Sequence, residues 1–235
     1  MAGYILGITI GTITIFFGLV LLFMWLFNKR STNKLIKKIG TAAEVKINAD
    51  LKIWAKHTNN RFIPNSIYSY GENKVFEVDS ILITSKALIV IEVKSIKGGI
   101  EGDALNPTWN KVLGTVRHDI TNPVTQNDKH IDHIVKMTQL KIPTVSLIIY
   151  SNRAQYIKVE NIPSHTVVTK HSELFDVLDE INISLEQVLN EDEVKDIWTN
   201  IKSFRTTKSK DVKLHRRITL GKLNFKKNNK RKKHF

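Results

Sequence analysis

Four charged residues sit inside the two most apolar strand-like stretches of this sequence, where charge is costly. Glu77 and Asp79 alternate with Phe76 and Val78, and Glu92 and Lys94 flank Val93 just after Ile89-Val90-Ile91. Residues i and i+2 of a strand share a face, so Glu77 stands beside Asp79 and Glu92 beside Lys94. A buried carboxylate left alone is strongly disfavoured; it shifts its pKa or finds a cation. Clustered carboxylates with a lysine suit a hard divalent cation, which takes oxygen ligands. The plainer alternative is a set of ion pairs at a strand end, Glu92 with Lys94 and Glu77 with Lys74. Deciding between them requires the register of the two strands, which sequence does not reveal.

The elements that must hold these residues follow from periodicity. Leu35, Ile39, Ala43, Ile47, Leu51 and Trp54 recur at helical spacing, predicting a helix from about Lys34 to Lys56. Glu44 falls at the edge of its apolar face, directed inward. Strands are expected at Arg61 to Ser69, Val75 to Thr84 and Ala87 to Ser95, with Ser85-Lys86 as the hairpin turn between the last two. Both of these are apolar on both parities, the pattern of strands in the middle of a covered sheet. A glycine-rich connection, Gly98 to Gly102, leads to Trp109. Helical spacing resumes from Pro123 to Leu140, and Val145 to Tyr150 and Thr166 to Val168 read as further strands. Two more helices are expected at Ser172–Asp179 and Ser184–Phe204, the second opened by Ser184. This order predicts an α/β domain with a mixed β-sheet flanked by helices.

An acid on one strand, twelve intervening residues, then Glu92-Val93-Lys94 resembles the core of the PD-(D/E)xK nuclease superfamily. More specifically, the chain resembles the nuclease-related domain (NERD) family. The likeness lies in Gly40-Thr41-Ala42-Ala43-Glu44, Glu77-Val78-Asp79, Ile91-Glu92-Val93-Lys94, Gly98 to Gly102 with Trp109, and Asn122-Pro123 with Gln126. It spans roughly residues 40 to 150. One departure is that Val78, not proline, precedes Asp79. The resemblance implies a restriction-endonuclease-like fold and metal-assisted phosphodiester hydrolysis. In that scheme Asp79, Glu92 and the backbone carbonyl of Val93 hold Mg²⁺ or Mn²⁺, and Glu44 completes the metal shell or holds one of its waters. Lys94 orients the attacking water or neutralises charge on the phosphate. Gln126 touches water or the scissile phosphate, with Glu77 as a further contributor.

Charge distribution supplies the context. The chain has 235 residues, 36 Lys+Arg against 22 Asp+Glu, a net charge of +14, and no cysteine. The absence of cysteine excludes disulfides, thiol nucleophiles and Cys-ligated metals. Residues 202–235 carry fourteen basic residues and one acid, Asp211. Five more basic residues (Lys29, Arg30, Lys34, Lys37, Lys38) follow an uncharged, strongly apolar run from Tyr4 to Phe27, so residues 39–201 are mildly acidic. As a helix, that run reaches about 36 Å, enough to cross a hydrocarbon layer about 30 Å thick. Positive charge just after it predicts a single-pass anchor in the cell membrane, N-terminus outside and the soluble domain in the cytoplasm. Gly3, Gly7 and Gly11 recur every four residues and would let two anchors pack as a homodimer.

The expected organisation is an anchor over 1–28, a basic juxtamembrane linker over 29–39, and a nuclease-related domain over 40–155. A C-terminal α/β extension over 156–203 and a basic disordered tail over 204–235 follow. In the tail, Lys226, Lys227, Lys230, Arg231, Lys232 and Lys233 could track a phosphate backbone or bind an anionic leaflet, two readings sequence leaves open. His130 and His133 lie at i, i+3, but with no third ligand in sight and a polar helix they read as a solvated face. Trp109 reads as core or loop packing in preference to base stacking. No Walker A, Gly-x-Ser-x-Gly or dinucleotide fingerprint is present. The function these features predict is a membrane-anchored, divalent-metal-dependent nuclease acting on nucleic acid, DNA in preference to RNA. The alternative is a non-catalytic tethered scaffold that binds nucleic acid or lipid through its tail.

Overall fold

The computed structural model describes residues 16–26, 42–72 and 74–232, with side chains as far as residue 221. The chain divides into two compact units, Met1–Ala43 and Glu44–Phe235. In the first unit, residues 16–26 are helical and exposed. The rest of the expected anchor, including Gly3, Gly7 and Gly11, and the basic segment after it lie outside the described residues. Among the described residues no helix is long and apolar enough to cross a membrane.

The second unit is built on two mixed sheets flanked by helices, where a single sheet was expected. Helix α1 (residues 42–57) buries Ile47, Leu51, Trp54 and Ala55, the i, i+4, i+7, i+8 face that periodicity indicated. Strands β1 (Arg61–Tyr70), β2 (Lys74–Ile83) and β3 (Leu88–Lys94) form an antiparallel meander. The β2–β3 turn closes at Thr84–Ala87, where Thr84 N donates to Ala87 O at 3.0 Å. After three further strands comes α2 (Pro123–Thr138), the crossover to β7 (Thr144–Tyr150), which lies parallel to β3. β9 (Thr166–Lys170) extends the sheet, giving the order β1-β2-β3-β7-β9.

Both faces of this sheet are covered, which explains why its central strands are apolar on both parities. Leu88 and Val90 of β3 face α2 and α4 (Glu191–Ser203) through Ile134, Met137, Val194, Ile197 and Ile201. Ile89, Ile91 and Val93 face α1 and α3 (Leu174–Ser184) through Leu51, Trp54, Leu174 and Leu178. Trp54 Nε1 donates to Asp179 Oδ1 at 2.7 Å, tying α1 to α3.

The second sheet has the order β6-β5-β4-β8, from β4 (Gly98–Asp103), β5 (Thr108–Leu113), β6 (Val116–Thr121) and β8 (Ala154–Glu160). The glycine-rich stretch expected to be a connection is therefore a strand. Its glycines make room for neighbours: a Cβ on Gly102 would fall 2.3 Å from Cγ of Trp109, whose buried ring lies against it. Gly98 has φ +104, outside the range L side chains favour, and its Cβ position meets the Val112 carbonyl oxygen at 2.2 Å.

Two C-terminal expectations change. Ser184 does not open a helix; it ends α3, with its hydroxyl donating back to Ile181 O at 3.2 Å. The next helix starts at Glu191, where Asn190 and Glu193 form a reciprocal capping box that satisfies two otherwise orphaned amides. The basic segment read as a disordered tail is helical over Ser209–Lys232 (α5). Its start is fixed by backbone pairing with the edge of β1, Ser69 N to Phe204 O at 3.0 Å and Thr206 N to Ile67 O at 2.9 Å. Composition alone does not disclose such a long-range contact.

Candidate active site

The register that sequence left open is set by the β2–β3 ladder, which pairs Ile83 with Leu88 and ends at Ser80 with Ile91. One further step would set Asp79 opposite Glu92, but there the strands part, and the β1–β2 ladder also omits the Asn65/Asp79 pair. At this fork the amide of Val93 donates to Asp79 Oδ2 at 2.8 Å. The carboxylate thus serves a backbone N–H that the ladder leaves without a strand partner. The amide of Val93 is thereby taken up by Asp79, while its carbonyl is the group that the resemblance assigns to the metal.

Glu92 and Lys94 share the face of β3 that α2 covers. Lys94 Nζ lies 2.6 Å from Glu92 Oε1 and donates to Gln126 Oε1 at 2.9 Å. Gln126 Nε2 donates to the same Glu92 oxygen at 2.8 Å. Gln126 is positioned by the start of α2. Asn122 accepts from Val124 N as the N-cap, Pro123 occupies the first turn, and Asn122 Nδ2 donates to Ala104 O and Asn106 O. The Asn122-Pro123 motif therefore locks the helix to the β4–β5 turn and, through it, fixes the distance from Gln126 to β3. One turn into the helix, Asn127 donates to Val90 O and Ser146 Oγ, both at 2.9 Å, and pins α2 to the sheet.

The acids here outnumber the cations, and their ionisation is driven apart. Burial and the charge of Glu92 push Asp79 up to about 7, against the Val93 hydrogen bond, with Glu44 adding to the rise. Glu92 moves the other way: burial would raise it, but the contact with His130 and the charge and hydrogen bond of Lys94 together hold it low. Glu44, half-buried at the start of α1, is raised by burial and then by the charges of Glu77 and Glu92. Two neighbouring carboxyls with opposed shifts are a signature of functional sites.

Glu77 does not pair with Lys74. It accepts from Asn65 Nδ2 at 3.0 Å and lies 3.7 Å from His215 Nε2 of α5, while Lys74 sits 5.3 Å over the Tyr70 ring. The Glu92–Lys94 ion pair is present, within a larger hydrogen-bonded set. The reading of His130 and His133 as a solvated face is not what the fold produces. His130 Nε2 stands 3.4 Å from Glu92 Oε2, and His133 bonds the Tyr70 hydroxyl at 2.7 Å and stacks on Phe76. The overlooked signal was the four-residue spacing from Gln126 to His130, which puts both on one helix face. Tyr150, also missed, is fully buried beside this set; burial and the Glu92 charge raise its hydroxyl. Trp109 is wholly buried, its Nε1 donating to Asp103 O at 2.8 Å, a packing role. The side chains of Lys226, Lys227, Lys230, Arg231, Lys232 and Lys233 lie outside the described residues.

The donor set suits a hard cation in part. Asp79, Glu92 and Glu44 offer only oxygen; burial first, and then the charge of neighbouring carboxylates, raises Asp79 and Glu44, a cost that a divalent charge would relieve. Among the described residues, however, no three His, Asp or Glu side chains stand close enough to enclose an ion. A cage made wholly of protein is thus not what the fold presents. Mg²⁺ commonly takes one or two carboxylates and completes its shell with water and substrate phosphate, so a cage of three is not required for it.

Residues 39–151 match the family model described as the nuclease-related domain. No curated protein and no solved structure matches the chain significantly.

Proposed function

Because residues 39–151 belong to the nuclease-related domain family, within the PD-(D/E)xK nuclease-like class, we propose that the chain hydrolyses phosphodiester bonds in nucleic acid, DNA in preference to RNA, with Mg²⁺ or Mn²⁺. The observation that carries this reading is the fork between β2 and β3, where Asp79 accepts from the amide of Val93, next in the chain to Glu92, and Lys94 is held by Glu92 and Gln126. Asp79 and Glu92 would hold the cation, with Glu44 reaching it through water and the Val93 carbonyl as a further donor. The bound ion supplies charge stabilisation at a phosphoryl oxygen and lowers the pKa of water. Asp79 gives up its proton on taking part. Lys94, already fixed by two partners, presents its ammonium to the phosphate and offsets charge that develops there. Gln126 orients water from the α2 side.

We place this activity at a membrane: the apolar run 4–27 and the basic residues after it support a single-pass anchor with the domain in the cytoplasm. The four-residue spacing of Gly3, Gly7 and Gly11 supports a homodimer of anchors. The test is the purified protein with labelled DNA or RNA and Mg²⁺ or Mn²⁺. Metal-dependent cleavage lost in both Asp79→Ala and Lys94→Ala is the expected result; cleavage unchanged in both variants would exclude the mechanism.

A second reading, a non-catalytic scaffold, is favoured by one feature: α5 carries the basic segment as a continuous helix from Ser209 to Lys232. It requires salt-sensitive binding of nucleic acid or anionic lipid that disappears on truncation after Phe204 and needs no metal.

A further inference from the structure

Glu92 is approached at both oxygens by groups of one helix, and at one of them also by Lys94 of its own strand. Oε1 accepts from Gln126 Nε2 at 2.8 Å and from Lys94 Nζ at 2.6 Å, while Oε2 faces His130 Nε2 at 3.4 Å. Gln126 and His130 are four residues apart on α2, one above the other on the face turned to β3. The His130 side chain is only 16% exposed and that of Glu92 only 5%, so water competes weakly for the contact.

The tautomer follows from the other ring nitrogen. His130 Nδ1 is buried and has no hydrogen-bond partner. A proton on Nδ1 would be a buried N–H with no acceptor, whereas a proton on Nε2 faces the Glu92 carboxylate. In the neutral ring the proton therefore belongs on Nε2, pointed at the carboxylate. A bare Nε2 there would set lone pair against anionic oxygen.

From this geometry we infer that His130 is a positioning residue for the candidate metal site: its Nε2–H holds Glu92 Oε2, so that the carboxylate plane is fixed by α2 at both oxygens. The inference rests on the metal-dependent reading above. Carboxylates that ligate metals are themselves oriented by hydrogen bonds, and loss of such a partner typically weakens metal affinity or activity about 10- to 100-fold. His130 is suited to the task because α2 is itself fixed at its start by Asn122 and pinned to β3 by Asn127. Lys94 cannot substitute, since it lies on the other oxygen.

The experiment is Mn²⁺ binding to the full chain, read by electron paramagnetic resonance of free Mn²⁺, for wild type, Asp79→Asn, His130→Leu and His130→Gln. Leucine fills the same space without a donor; glutamine keeps an N–H. His130→Leu is expected to weaken Mn²⁺ binding about 10- to 100-fold, with most of the affinity restored in His130→Gln and with kcat falling in step. His130→Ala repeats the donor loss should leucine disturb folding. Wild-type affinity in both donorless variants, or a glutamine variant as weak as leucine, would overturn the assignment. Asp79→Asn separates the two levels. If wild type binds Mn²⁺ and Asp79→Asn does not, the metal reading stands whatever His130 does. If wild type binds none, that reading falls and this inference with it.

Discussion

Asp79→Asn should make the metal-free protein more stable, and increasingly so as pH rises. Burial and the neighbouring Glu92 raise the Asp79 carboxyl from 3.8 to about 7. A folded-state pKa above the unfolded one means that the native protein binds the proton more tightly. The stability this gives is whole below the unfolded pKa and is lost as pH rises through the folded one. A difference of about three pKa units corresponds to roughly 4 kcal/mol lost by pH 8, of which about 1.7 kcal/mol is already gone at pH 5. Asparagine stays neutral and keeps an oxygen for the Val93 amide, so it escapes this loss. The gap between variant and wild type should widen by about 2–3 kcal/mol from pH 5 to pH 8. Glu92, held low, does not titrate in that window; Glu44, raised, adds a smaller loss of the same sign to both proteins. Urea unfolding at the two pH values measures the gap. Millimolar Mn²⁺ at pH 8 should narrow it, since a ligand at 100 times its Kd stabilises the native state by about 2.7 kcal/mol. An asparagine variant less stable than wild type at pH 8, or a gap independent of pH, would refute the reasoning.

Other expectations concern the scaffold that holds the site. Asn122→Ala removes an N-cap and two bonds to the carbonyls of Ala104 and Asn106; it should cost about 2–3 kcal/mol in urea unfolding and reduce cleavage although it contacts no substrate. Gly102→Ala puts a methyl group into the Trp109 ring and should cost about 1–3 kcal/mol, seen as a lower urea midpoint. Asn190→Ala breaks the capping box of α4 and should cost about 1 kcal/mol while leaving cleavage unchanged. Truncation after Phe204 should flatten the salt dependence of DNA binding, measured by fluorescence anisotropy, since thirteen of the 36 Lys and Arg residues, with a single acid among them, lie beyond it.

What could be read from the residues was whatever burial writes into periodicity. Ile47, Leu51 and Trp54 announce α1, and the apolar runs around Val78 and Val90 announce a hairpin at the centre of a covered sheet. The acids within those runs announced the site because charge in such surroundings demands a reason. The second sheet escaped notice because β5, β6 and β8 are short, polar and half-exposed, and β4 looks like a linker through its glycines. Ser184 is ambiguous in sequence because serine serves at either end of a helix; Asn190 with Glu193 carries the stronger capping signal. His130 has no second metal ligand near it in sequence, and its partner is a carboxylate on another element, thirty-eight residues earlier. Spacing along one helix shows which side chains share a face, not what that face meets.

The central claim is that Asp79 and Glu92 jointly hold one divalent ion, and anomalous diffraction from crystals soaked in MnCl₂ tests it most directly. A peak is expected within about 2.5 Å of an oxygen of each carboxylate, with the Asp79–Val93 or Glu92–Lys94 bond rearranged to admit it. Diffraction that shows no peak at the fork, with both of those bonds intact at saturating Mn²⁺, would contradict it.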